Sequence, residues 1–178
     1  MTDWNAVVRE HGPLVWRVAF RLLGNEADAA DCFQRAFVST LESSPTAEVR
    51  DWPALLRRVA TNRALEQLRE RYRRTARAGS LPDSPLLDDH AADPLDAAAG
   101  EELAGRLREA LARIDPRQAE VFCLASLESW SHPEISTLLG VTANHVGVLL
   151  SRARSALRDE LRAFDPAHRN DYEQEGQP

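Results

Sequence analysis

Apolar residues recur at helical spacing through most of the chain. Trp4, Val7, Val8, His11, Leu14, Val15, Val18 and Leu22 follow i, i+3, i+4, i+7 spacing and predict a first amphipathic helix. Gly24 and Asn25 break the pattern. A second helix is predicted from about Glu26 to Glu42, with Ala29, Phe33, Phe37 and Leu41 on one face. Ser43-Ser44-Pro45-Thr46 opens a loop. Asp51 is placed to cap a third helix reaching about Arg74, whose apolar stripe is Trp52, Leu55, Leu56, Val59, Ala60, Leu65, Leu68 and Tyr72. Three such helices can close on one core.

Residues 78–100 lose the periodicity. Proline, glycine, small residues and Asp replace it, which predicts a flexible acidic linker between two small helical domains, residues 1–77 and 101–164. The second domain opens with a short helix bearing Leu103, Leu107, Leu111 and Ile114. Asp115-Pro116-Arg117-Gln118 is a helix start, and Ser131-His132-Pro133-Glu134 is a capping box. Gly140 is placed to end that helix in the left-handed conformation, and Thr142 to cap the next, which carries Val146, Leu149, Leu150, Ala153, Leu157 and Leu161. The tail, 165–178, is polar, acidic and expected to be disordered. The fold class expected is all-α.

Residues 131–156 therefore read as a helix, a short turn containing glycine, and a longer helix. That is the helix-turn-helix layout, in which the second helix enters a major groove and its first residues meet base edges. Here those are Thr142, Asn144, His145 and, one turn on, Leu149, with Arg152 and Arg154 suited to phosphates. The same layout also occurs inside plain helix bundles.

The net charge of −6 argues against nucleic-acid binding until its distribution is considered. Residues 1–77 carry 13 Arg against 10 acids, and residues 78–100 carry five Asp and no base. Residues 57–77 alone hold eight Arg against Glu66 and Glu70, a local basic stripe suited to backbone phosphates. All 22 basic residues are Arg, so each cationic contact is a planar fork that fits a phosphate or a guanine edge. Codon usage in a GC-rich genome would also explain that bias.

Several classes are set aside. No apolar run reaches the roughly 18 residues of a membrane span, and no basic-then-apolar leader opens the chain. Cys32 and Cys123 sit in helical patterns outside any CxxC pair and read as buried reduced thiols in a cytoplasmic protein. His11, His90, His132, His145 and His168 are scattered, with no catalytic triad, Gly-rich phosphate loop or metal spacing. No enzyme activity, metal or cofactor is expected.

The motifs resemble the extracytoplasmic-function group of the sigma-70 family. Asp28-Ala29-Ala30-Asp31-Cys32-Phe33-Gln34-Arg35-Ala36-Phe37 is similar to that group's region 2.2. Trp52-Pro53-Ala54-Leu55-Leu56-Arg57-Arg58-Val59-Ala60-Thr61-Asn62 with the Arg69 to Arg74 cluster resembles regions 2.3 and 2.4. Glu134-Ile135 through Leu139-Gly140-Val141-Thr142, then Ser151-Arg152-Ala153-Arg154 and Leu157-Arg158, resembles region 4. The similarity covers roughly residues 4–75 and 101–162, in order.

The resemblance implies roles. Asp31, Gln34, Arg35 and Phe37 would dock on the β′ clamp helices of core RNA polymerase, whose β flap is a further contact. Arg50, Trp52, Arg57, Arg58, Asn62, Arg63, Arg69, Arg71, Arg73 and Arg74 would melt, read and hold the −10 element of promoter DNA. Thr142, Asn144, His145, Leu149, Arg152 and Arg154 would read the −35 element. The acidic linker would thread toward the polymerase cleft, or simply be a soluble tether. An anti-sigma factor is a usual partner in this group, and no membrane contact is implied.

Two departures qualify this. Arg35 stands where the family usually has an acid, and Gly147, Val148 and Leu149 stand where its recognition helix usually has basic and polar residues. Weak or unusual −35 recognition is expected, and Arg at position 149 should strengthen it. Two other readings stay open: a helix-turn-helix regulator that needs no polymerase, and a sigma-like interaction protein.

Overall fold

The computed structural model describes residues 2–43, 49–78 and 94–162. These form only helices: α1 (Trp4–Leu23), α2 (Glu26–Ser43), α3 (Trp52–Ala78), α4 (Pro94–Arg113), α5 (Pro116–Phe122), α6 (His132–Leu139) and α7 (Ala143–Arg162). A π-helical turn, Cys123–Leu127, extends α5. α4 begins inside the stretch that reads as linker from sequence. Residues 79–93 of that stretch, and the 165–178 tail, lie outside the described residues.

Local chemistry sets the ends of these helices. The Asp3 carboxylate accepts from the Ala6 N–H at 3.1 Å, and Asp51 from the Ala54 N–H at 2.9 Å. Asn25 Oδ1 accepts from the Asp28 N–H at 2.8 Å and starts α2. Asp115 takes the amides of Arg117 and Gln118 at 2.9 and 3.1 Å, and Thr142 takes that of His145 at 3.2 Å. Ser131 and Glu134 close a reciprocal capping box. Each cap satisfies a backbone donor that the first helical turn leaves unpaired. Gly24 and Gly140, at φ of 75° and 65°, end α1 and α6 in the left-handed region that residues with a Cβ avoid.

α1, α2 and α3 enclose Val15, Val18, Leu22, Leu23, Ala29, Cys32, Leu56, Ala60, Ala64 and Leu65. Two residues placed on the apolar faces by their spacing lie outside this core: Val8 and Leu41 are exposed. The three helices do not stand apart from the second half. The same apolar cluster runs through Leu68 into Leu111 of α4 and Ile114 just beyond it, Ala119 and Cys123 of the α5 segment, and Ala153 and Leu157 of α7. A second cluster, Val121, Leu124, Ile135, Val146, Leu149 and Leu150, fixes α6 against α7. Both cysteines are free and buried, and burial pushes each thiol up to about 12.

Candidate polymerase and nucleic-acid interface

α2 turns Gln34 and Arg35 to solvent, with Asp31 partly exposed beside them. Asp31 and Arg35, one helical turn apart, form an ion pair at 3.0 Å. Phe37 differs from its expected placement. It is 8 % exposed and sits edge-on to Phe33 with ring centroids 5.0 Å apart. It therefore holds α2 against the core rather than offering a surface. The neighbouring exposed apolar residues are Val38 and Leu41.

The α3 residues divide into three groups. Arg73 and Arg74 are exposed and line a cavity of about 490 Å³ with Asp28, Asp31, Arg35, Gln67, Glu70 and Arg77. Arg63 and Arg71 pair within the first half, with Glu66 at 2.6 Å and Asp28 at 3.6 Å. Arg57, Arg58, Asn62 and Arg69 belong to the third group and face the second half. Trp52 stands edge-on to Trp4 at 5.5 Å, so its indole is seated in the α1–α3 packing, while Arg50 is exposed just ahead of α3.

The third group meets acids that sequence reading passed over. Glu120 Oε1, on α5, accepts from Arg58 Nε at 3.1 Å and from Asn62 Nδ2 at 2.9 Å. Arg58 Nη1 also donates to the Leu138 carbonyl at the end of α6, at 3.1 Å. Glu128 lies 3.2 Å from Arg21 Nη1 and 3.9 Å from Arg57 Nε, and the Arg57 guanidinium stands 5.8 Å over the Trp130 ring. Arg21 also donates to the Leu127 carbonyl. Burial, first among the causes, holds the Arg69 guanidinium below the usual arginine value. The one signal for Glu120 in the sequence is an acid within the apolar run Ala119, Val121, Phe122.

The π-helical turn aims these partners. It widens the end of α5, the Glu128 N–H donates back to Cys123 O at 3.0 Å, and Ser129 follows at φ 58°, a left-handed conformation uncommon for a residue with a Cβ. Glu128 and Trp130 flank that residue.

In the helix-turn-helix, Thr142, Asn144, His145 and Arg152 are exposed, as their spacing predicts. Leu149 corrects the reading. It is 8 % exposed and packs in the second cluster, whereas Val148 is 39 % exposed. At 100° per residue, Asn144, Val148, Ser151 and Arg152 share the outward face, and position 149 points into the core. Arg154 is exposed on the flank of α7. It rims an apolar depression of about 430 Å³ lined by Leu107, Phe122, Leu157 and Leu161 with Arg158 and Arg162. Gly147 faces the His132 imidazole, which a Cβ there would meet at 3.8 Å.

Known proteins share this organisation. Residues 7–74 match the Sigma-70 region 2 family and residues 104–157 the Sigma-70 region 4 family. The chain is 33% identical to the RNA polymerase sigma-E factor of Streptomyces coelicolor, over 92% of this chain and 88% of that protein. It is 32% identical to the ECF RNA polymerase sigma factor SigE of Mycolicibacterium smegmatis over 90% of its own length, and spans 62% of that relative. Its fold resembles the sigma factor RpoE solved with the anti-sigma factor NepR from Bartonella quintana, with a TM-score of 0.54, 17% identity, and 91% and 98% of the two chains covered. It also resembles CnrH solved with the cytosolic domain of CnrY, with a TM-score of 0.53, 25% identity, and 91% and 89% covered. Two family regions in order, and a relative sharing a third of its residues along nearly the whole chain, place this protein in the extracytoplasmic-function group of the sigma-70 family.

Proposed function

We propose that this chain acts as a promoter-specificity subunit: it binds core RNA polymerase, positions it on a promoter and assists −10 melting. The observation that carries this is the presence, in one chain, of a cationic α3 preceded by an open α2 face and followed by a helix-turn-helix with exposed polar residues at its tip. On this reading Asp31, Gln34 and Arg35 meet the β′ clamp helices, and Phe37 supports them from beneath. Unstacked bases of the melted strand meet α3, where Arg57, Arg58 and Asn62 supply forks and an amide, and Arg73 and Arg74 follow the phosphates. Asn144, His145, Val148 and Arg152 face the −35 duplex, and the depression between Leu107 and Leu161 is suited to an apolar tip of the β flap.

The role is one of binding and positioning, with RNA synthesis performed by the polymerase. It belongs in the cytoplasm, where core polymerase and chromosome are found. No helix among the described residues is long and apolar enough to cross a membrane. By analogy with the RpoE–NepR structure, an anti-sigma protein is a candidate partner.

The docking half of the reading is tested by titrating labelled protein with purified core polymerase. Gln34→Ala combined with Arg35→Ala should weaken binding about tenfold or more while leaving the melting temperature unchanged. Undiminished binding would reject the α2 assignment.

A further inference from the structure

The recognition helix is poor in cations where it would meet DNA. From Ala143 to Ser151, α7 carries no Arg, and the first guanidinium on its outward face is that of Arg152. We propose that His132, at the start of α6, supplies a contact from the neighbouring helix: its imidazole lies across Gly147 on the flank of α7 and donates to a phosphate at the wall of the −35 groove. This inference deepens the reading that α7 faces the −35 duplex and rests on it.

Three observations carry it. The first is the space at position 147. A Cβ there would stand 3.8 Å from His132 Cε1 and 3.9 Å from His132 Nδ1. Those are van der Waals distances, so the ring already fills the volume that a longer side chain would need. Glycine inside a helix weakens it relative to alanine, and here it leaves the α7 surface open for a ring to lie against. The second is direction. Gly147 follows Asn144 by three residues and precedes Ser151 by four, and both of those are exposed. Residues three and four apart share a helix face, so a ring over Gly147 stands on the same strip as Asn144 and Ser151. In the helix-turn-helix layout the first helix crosses the DNA backbone, which puts a side chain at the start of α6 opposite phosphates. The third is an uncommitted donor. His132 is exposed, and its imidazole has no hydrogen-bond or ion-pair partner among the described residues. A neutral imidazole carries one N–H and a protonated one carries two, so the ring donates in either state.

The nearby carboxylate does not oppose this contact. Glu134, two residues on, is turned back onto Ser131, whose N–H and hydroxyl donate to it at 2.8 and 2.5 Å. The same capping box fixes the first turn of α6, and Ile135 anchors that helix in the second apolar cluster. The backbone that carries His132 is therefore held on both sides. α6 provides the donor, and the missing side chain on α7 provides its seat.

The test uses the full chain bound to core polymerase and a fluorescent promoter duplex from a start site that this holoenzyme uses. His132→Ala should weaken binding about fivefold, the scale of one hydrogen bond, with the melting temperature of the free chain unchanged. Gly147→Leu should displace the ring and weaken binding by a similar factor, and adding His132→Ala to it should cost nothing further. On duplexes carrying one methylphosphonate at successive −35 positions, a single position should weaken the wild type about fivefold and leave His132→Ala unaffected. A ring with only a structural role would give no such position. Losses that multiply in the double variant, or a methylphosphonate scan identical for the two proteins, would overturn the proposal. If Arg152→Ala weakens binding and His132→Ala does not, the His132 contact is wrong and the −35 reading stands. If neither weakens it, the −35 reading fails and the proposal with it.

Discussion

Arg58 and Glu120 are 62 residues apart along the chain, and their side chains meet at 3.1 Å, joining the cationic third helix to the start of the helix-turn-helix half. The Arg58 side chain reaches on to the Leu138 carbonyl, so a single guanidinium ties α3 to both α5 and α6. The two halves, each legible as a domain, are thereby held as one body.

Phase on the recognition helix leads to a paired prediction. Leu149 lies in the cluster with Val121, Ile135 and Val146, while Val148 faces out. Leu149→Arg should cost about 3 kcal/mol or more, because it puts an unpaired charge in an apolar site. Val148→Arg should leave stability within about 0.5 kcal/mol. It should also strengthen binding to a −35 duplex, by up to about 1–3 kcal/mol if it finds a guanine edge. Thermal denaturation and a duplex gel shift on the two variants check this, and a stable, tighter-binding Leu149→Arg would reverse the assignment.

The aromatic beneath the docking face gives a second prediction. Phe37→Ala should destabilise the protein by about 3–5 kcal/mol in urea unfolding, as expected for a large-to-small change in a core. Any loss of polymerase binding should then follow from unfolding and recover at lower temperature.

Ser129 gives a third. A residue with a Cβ in the left-handed region carries about 1–2 kcal/mol of strain per residue, which glycine avoids. Ser129→Gly should raise stability by about 1 kcal/mol in urea titration, provided the turn keeps its shape. A loss would mean that the Ser129 side chain contributes more than its backbone costs.

The capping box of α6 gives a pH prediction. Side-chain and backbone hydrogen bonds from Ser131 hold the Glu134 carboxyl below the usual carboxylate range. A carboxyl whose folded value is depressed contributes stability that is present above its unfolded value and lost as pH falls through the folded one. The melting temperature should therefore fall more steeply with acid in the native protein than in Ser131→Ala, which lacks the side-chain donor. Parallel acid limbs for the two proteins would count against this.

The thiols give a fifth. Both are buried and pushed up to about 12, so neither Cys32 nor Cys123 should react with iodoacetamide in the folded protein at pH 8, and both should react in urea. Mass spectrometry of the intact chain reads this directly.

Much of the fold was legible because helix ends are local. The caps at Asp51, Asp115, Ser131 and Thr142, and the left-handed Gly140, each follow from a few adjacent residues, and all stand where their spacing places them. Two kinds of information were not local. The burial of Leu149 and Phe37 depends on how one helix is rotated against its neighbours, and a one-residue difference in phase separates Leu149 from Val148. The pairing of Arg57, Arg58 and Asn62 with Glu128 and Glu120 depends on packing between halves that no periodicity encodes. The basic stripe was visible in the sequence. Its division into exposed, locally paired and covered residues was not.

The proposed function of this chain is to direct initiation by RNA polymerase. The most direct measurement is run-off transcription with purified core polymerase and fragmented genomic DNA from the source organism, with the 5′ ends of the products mapped. A small set of defined start sites, absent without the protein and sharing sequence at −10, is expected. Stable binding to core with no new start sites would contradict it.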